Sequence, residues 1–149
     1  MYHSISTDGD YMSQLENIIA NLDMRKYRKI GEGCSRVVYK AGNYVIKKAK
    51  NKRGLLENSN ENRIYQLANR KLKDYLCPVF YCDDKYIIMA YCDELTDSEF
   101  ESCHLIRQEL SKQLFSQFSL DDFDLSYKFN WGKIGNRLFL IDYGHDYFE

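Results

Sequence analysis

The sequence predicts an α+β fold of two small lobes. The first is a five-stranded antiparallel sheet with a helix; the second is reduced to one long helix plus a β-hairpin. Three observations carry this. Five β-rich runs fall between residues 27 and 91, and two pairs are joined by two-residue turns. Apolar residues recur every three or four positions from Phe100 to Phe118, the stripe of an amphipathic helix. A last pair of short runs, Trp131 to Ile134 and Arg137 to Ile141, is split by Gly135-Asn136.

Taken in order, Asp8 or Asp10 is placed to cap a first helix, along which Tyr11, Leu15, Ile18, Ile19 and Leu22 share one face. Asp23-Met24-Arg25 ends it. Tyr27 to Ile30 is a short strand, and Gly31-Glu32-Gly33 a turn. Val37 to Ala41 and Tyr44 to Lys48 form a hairpin about Gly42-Asn43. Asn51 to Ser59 is polar and predicts a loop; Asn60 to Leu72 predicts a helix, with Ile64, Leu67, Ala68 and Leu72 along its stripe. Leu76 to Tyr81 and Tyr86 to Tyr91 are two further strands about Asp83-Asp84. Thr96-x-x-Glu99 and Ser98-x-x-Glu101 are both capping-box patterns, placed to start the long helix. Arg107 interrupts its stripe. The acidic loop Asp121-Asp122-Phe123-Asp124 precedes the final hairpin. The connector near Cys92-Asp93-Glu94 is short. The expectation is therefore one domain over residues 1–149, with one lobe over about 1–92 and the other over about 93–149.

With 149 residues, 44% of them hydrophobic, the chain can bury a core. A net charge of −1 gives no electrostatic case for nucleic acid or an anionic membrane. No apolar run is long enough to span a bilayer, and the N-terminus lacks the basic start and apolar stretch of a signal peptide. Five cysteines without a C-x-x-C pair predict buried free thiols in a reducing, cytoplasmic setting.

Several residues carry possible chemistry. Gly31 and Gly33 stand between strands, where small residues let backbone N–H groups approach phosphates. Lys47 shares a strand face with Val45. Glu61, with Glu57 as competitor, is placed to pair with that lysine across a cleft. Asn130 and Asp142 stand twelve positions apart with a hairpin between them, and offer the oxygen donors that Mg²⁺ takes. Asp124 is placed to accept a proton. Singly, each has a plainer reading: a hairpin turn, a surface lysine, an acidic residue near a helix start, a strand-end turn, or solvated charge.

Their order changes the weighing. A Gly-rich turn, strand lysine, helix glutamate, two strands, connector, long helix, Asn, hairpin and Asp142-Tyr143-Gly144 together resemble the protein-kinase-like superfamily. This superfamily includes small-molecule kinases such as aminoglycoside phosphotransferases. More narrowly, the chain resembles short kinase-like proteins of bacteria and their phages. The resemblance runs from about Tyr27 to Gly144. It implies that Gly31 and Gly33 cover a nucleotide and that Val38 packs on its adenine. Lys47 would contact phosphates and pair with Glu61, and the connector from Met89 through Tyr91 to Cys92 would meet the adenine edge. Asn130 and Asp142 would bind Mg²⁺, with ATP as nucleotide and Asp124 as catalytic base.

The departures from the family pattern are equally specific. Arg36 replaces the third glycine of G-x-G-x-x-G. Five residues, not four, separate Asp124 from Asn130, and Asp122-Phe123 stands where the family has His-Arg. No activation segment follows Asp142-Tyr143-Gly144. Two functions are therefore expected as alternatives. One is an ATP–Mg-binding, minimal phosphotransferase with a small or partner-presented acceptor. The other is a non-catalytic, pseudokinase-like module that binds or inhibits a protein, as a phage or host-defence regulator would, or that self-associates.

Overall fold

The computed structural model of the chain describes residues 13–120 and 125–144. Asp8, Asp10, Tyr11 and the loop aspartates 121, 122 and 124 lie outside the described residues. Five strands form one sheet: β1 (Arg28–Glu32), β2 (Arg36–Ala41), β3 (Tyr44–Ala49), β4 (Val79–Cys82) and β5 (Tyr86–Ala90). Their order is β1-β2-β3-β5-β4, and all neighbours are antiparallel. The expected five-stranded antiparallel sheet is thus present. The β2–β3 hairpin turns on Gly42, whose φ of 62° suits a residue without Cβ.

Strand alternation gives the sheet two buried faces. Tyr44, Ile46, Tyr86 and Ile88 point to one side and pack on Leu15 and Ile18 of a helix over residues 13–20 (α1). Val45, Ile87 and Met89 point to the other, into a larger core with Ile64, Leu72, Leu114, Trp131 and Leu140. That larger core continues into the second lobe without a break.

The main helix of the first lobe begins earlier than the sequence pattern indicates. α2 runs Lys52–Leu67, so the expected loop over Asn51 to Ser59 is helical from Lys52 onward and Glu61 lies past the helix middle, not in its first turn. The Asn51 side chain caps it by accepting the N–H of Gly54. The apolar stripe fails to reveal this half because the face turned inward is polar: Glu57, Asn58 and Glu61 are all buried. A short helix, α3 (Arg70–Lys73), takes the remainder of the expected span.

In the second lobe, the span expected as one helix is divided at Cys103 into α4 (Asp97–Ser102) and α5 (His104–Phe118). Thr96 and Glu99 form a complete capping box on α4. Arg107 does not break the buried face. Its stem is buried, and its guanidinium donates to the Phe100 carbonyl from Nε and Nη2 at 3.1 and 2.9 Å while lying over the Phe100 ring. The final hairpin, β7 (Trp131–Ile134) with β8 (Arg137–Leu140), gains a third strand from the connector, β6 (Asp93–Glu94).

The lobes are also stitched through the backbone. Leu76, just before β4, makes a parallel bridge to Leu140. The Cys77 N–H donates to Leu140 O at 2.8 Å, and the Leu140 N–H donates to Tyr75 O at 2.8 Å.

Candidate functional site

A cavity of about 400 Å³ opens between the lobes. One side is apolar, from Val38, Val45, Met89, Tyr91 and Phe129; its inner end carries Arg36, Lys47 and Asp142. A second groove of about 720 Å³ adjoins it past Gly31, with Val38, Tyr91 and Ile141 among the residues that line both.

The strand and helix geometry explains how these side chains meet. Val38 on β2 pairs with Lys47 on β3. Lys47 shares a sheet face with Val45, so its stem runs under the cavity floor towards α2. There both Glu61 carboxylate oxygens accept from Lys47 Nζ, at 3.1 and 3.0 Å. Lys47 Nζ also donates to the Ile141 carbonyl at 2.8 Å. Glu61 is 0% exposed, so this pair lies beneath the cavity and is shielded from solvent. Glu57 has different partners: it accepts from Ser35 Oγ and lies 3.7 Å from Arg36.

Arg36 was legible as a departure, but its partners were not. Its guanidinium donates to Glu61, to Asn58 Oδ1 at 3.1 Å and to Asp142 Oδ1 at 3.0 Å. Only 8% of the side chain is exposed. Burial opposes its charge, but the carboxylates of Glu61, Asp142 and Glu57 outweigh burial and hold the guanidinium protonated more firmly than usual.

Asp142-Tyr143-Gly144 is fixed on three sides. The Tyr143 N–H donates to Glu61 Oε2 at 3.3 Å and its hydroxyl to the Cys77 carbonyl at 2.8 Å. Burial, then the nearby Glu61 charge, pushes the Tyr143 hydroxyl pKa well up, so it stays a donor. The Gly144 carbonyl accepts from Asn60 Nδ2 at 3.2 Å. This leaves Asp142, with 44% of its side chain exposed, facing the cavity and Arg36.

Of the residues singled out from sequence, Gly33, Val38, Lys47, Met89, Tyr91 and Asp142 line the cavity, Glu61 lies directly behind it, and Gly31 lines the adjoining groove. Asn130 ends a 3₁₀ turn (Lys128–Asn130), and its carbonyl accepts the Ile141 N–H at 2.8 Å; it is not among the cavity-lining residues. Asp124 lies outside the described residues. Sequence reasoning missed Phe129 and Cys77 in the cavity wall; Cys92, expected at the end of the connector, lines it as well. The thiols of Cys77 and Cys92 are 3.8 Å apart. All five cysteines are free, as expected, but only Cys77 is fully buried and Cys34 is exposed.

The donor set at Asp142 does not fit Mg²⁺ as it stands. That ion takes oxygen ligands at about 2.0–2.1 Å in near-ideal octahedral geometry. Here a buried guanidinium already sits 3.0 Å from Asp142 Oδ1 and would repel a second cation on that oxygen. The apolar walls leave room for a flat base, and the inner end sets Arg36 and Lys47 among the carboxylates of Glu57, Glu61 and Asp142.

No protein-family model and no curated protein sequence matches the chain. Solved structures do. One is APH(2″)-IIa in a ternary complex with streptomycin and ATP, at a TM-score of 0.53 and 16% identity, covering 92% of this chain and 70% of that one. Another is the gentamicin complex of APH(2″)-IIa, at a TM-score of 0.49 and 17% identity, covering 78% and 64%. The chain has a protein-kinase-like fold. No described helix is long and apolar enough to cross a membrane.

Proposed function

We propose that this protein binds a nucleoside triphosphate, ATP in the first instance, in the cleft between its lobes, and that binding rather than phosphoryl transfer is its principal activity. One observation carries the reading: Lys47, fixed by Glu61 and the Ile141 carbonyl, stands at the polar end of an apolar cavity walled by Val38, Val45, Met89 and Tyr91. The base would lie between Val38 and Met89, and the phosphates would extend towards Lys47 and Arg36. Transfer needs charge neutralisation at the transferring group and an oriented nucleophile. Arg36 bound to Asp142 works against the usual means of the first.

The test is thermal unfolding with ATP. At ten times the dissociation constant, ATP should stabilise the fold by about 1.4 kcal/mol. Val38→Trp, which fills the apolar end, should abolish that response, and phosphate release from ATP should stay at background. No shift with millimolar ATP would refute nucleotide binding. Steady turnover would refute the non-transferring part and favour the minimal phosphotransferase.

A second reading, binding of another protein molecule, is favoured by one observation. Leu105 and Ile106 stand 77% and 44% exposed on α5, beside a shallow groove formed with Tyr75 and Leu110. Self-association in sedimentation, dissolved by Leu105→Glu, is the expected result. A protein monomeric at its highest soluble concentration counts against it.

A further inference from the structure

We propose that the Arg36 guanidinium takes the place of a divalent metal ion in this cleft, so that a nucleoside triphosphate binds here without metal. This rests on the nucleotide reading above and adds to it how phosphate charge is met.

The argument begins from where Arg36 sits. It enters from the first residue of β2, the position nearest the Gly33–Ser35 turn, and points inward under that turn. Its planar fork is held on several sides, by Glu61, by Asn58 Oδ1 at 3.1 Å and by Asp142 Oδ1 at 3.0 Å. A side chain so placed is a fixed charge, not a surface arginine that swings in on occasion. A guanidinium remains charged at every accessible pH and matches phosphate oxygens through paired N–H groups.

Charge accounting within the cluster leads to the same place. Two cations, Arg36 and Lys47, face three carboxylates, Glu57, Glu61 and Asp142. Without Arg36, Lys47, which pairs with Glu61, would be the cation left in a cluster of three carboxylates. Such a site needs a further cation. With Arg36 present, one carboxylate charge is left over instead of two, and Asp142 holds an arginine where it would otherwise hold a metal. Arg36 and Lys47 both line the cavity, so triphosphate oxygens there would lie beside two cations.

The experiment is calorimetric and thermal titration of ATP into the full chain, in EDTA and in Mg²⁺. Wild-type affinity should agree within about threefold between the two conditions, since charge-assisted arginine contacts supply what metal would. Asp142→Asn, which keeps an acceptor oxygen for Arg36, should preserve metal-free binding. Arg36→Ala should weaken ATP in EDTA by about tenfold or more, and Mg²⁺ or Mn²⁺ should restore binding and raise the melting temperature of that variant alone. Wild-type binding seen only with Mg²⁺, or lost in Asp142→Asn, overturns the proposal and leaves nucleotide binding standing. Absence of any ATP response in either condition overturns the nucleotide reading, and this proposal with it. If Arg36→Ala does not fold, the wild-type comparison and Asp142→Asn still decide.

Discussion

Glu61→Ala is expected to destabilise the protein by about 3–5 kcal/mol, the range for breaking a buried ion pair from one side. Glu61 is 0% exposed and receives hydrogen bonds from Arg36, Lys47 and the Tyr143 backbone. Its removal leaves two buried cations unequally served. Arg36 keeps Asn58, Glu57 and Asp142. Lys47 keeps the Ile141 carbonyl, a neutral acceptor, so its charge is the more costly one. In a domain of this size each kcal/mol corresponds to roughly 2–4 °C, so a drop on the order of 6–20 °C should appear in thermal unfolding. Glu61→Gln, which preserves shape and one acceptor, should fall between the two. A Glu61→Ala protein melting within a degree of wild type would show that the pair is not worth its burial.

Gly144→Ala should be costly for a different reason. A Cβ there would stand 2.1 Å from the Glu57 carbonyl oxygen and 2.4 Å from Glu61 Cγ. The first is helix backbone, which cannot rotate aside, so α2 and the Asp142 segment must part. Overpacking of this kind costs about 1–3 kcal/mol, occasionally more. The same movement would stretch the Tyr143-to-Glu61 and Asn60-to-Gly144 hydrogen bonds. Gly33→Ala is the matched control: its added Cβ meets nothing within 4 Å, so its stability should stay within about 0.5 kcal/mol of wild type. Denaturant unfolding of both variants checks this, and equal stability would mean that the third residue of Asp-Tyr-Gly is not held by contact.

The strands were legible because their signals are local. Gly42-Asn43 and Gly135-Asn136 mark their turns within a few residues, and the alternation of Tyr44 to Lys47 assigns faces directly. α2 was legible only in its second half. Ile64 and Ala68 show the helical period, whereas Glu57, Asn58 and Glu61 bury polar groups, which a search for apolar stripes takes for a surface loop. The choice between Glu57 and Glu61 could not be made from spacing, since both lie one helical turn apart on the same face. The fold assigns them separately, Glu57 to Ser35 and Glu61 to Lys47 and Arg36. Arg36 stood out as a missing glycine, yet one of its partners lies 106 residues away, and no local pattern encodes so distant a contact.

The parallel bridge between Leu76 and Leu140, with its flanking hydrogen bonds, bears on how a ligand would enter. It clamps the strand leading into Asp142 onto the segment leading into β4, while Lys47 grips the Ile141 carbonyl from β3. Rotating one lobe away from the other would have to rupture these bonds together with the shared core. Opening by hinge is therefore expected to be small, and the cleft to be largely preformed. A nucleotide would meet walls already set and pay little to order them, and solution scattering should register almost no contraction on binding.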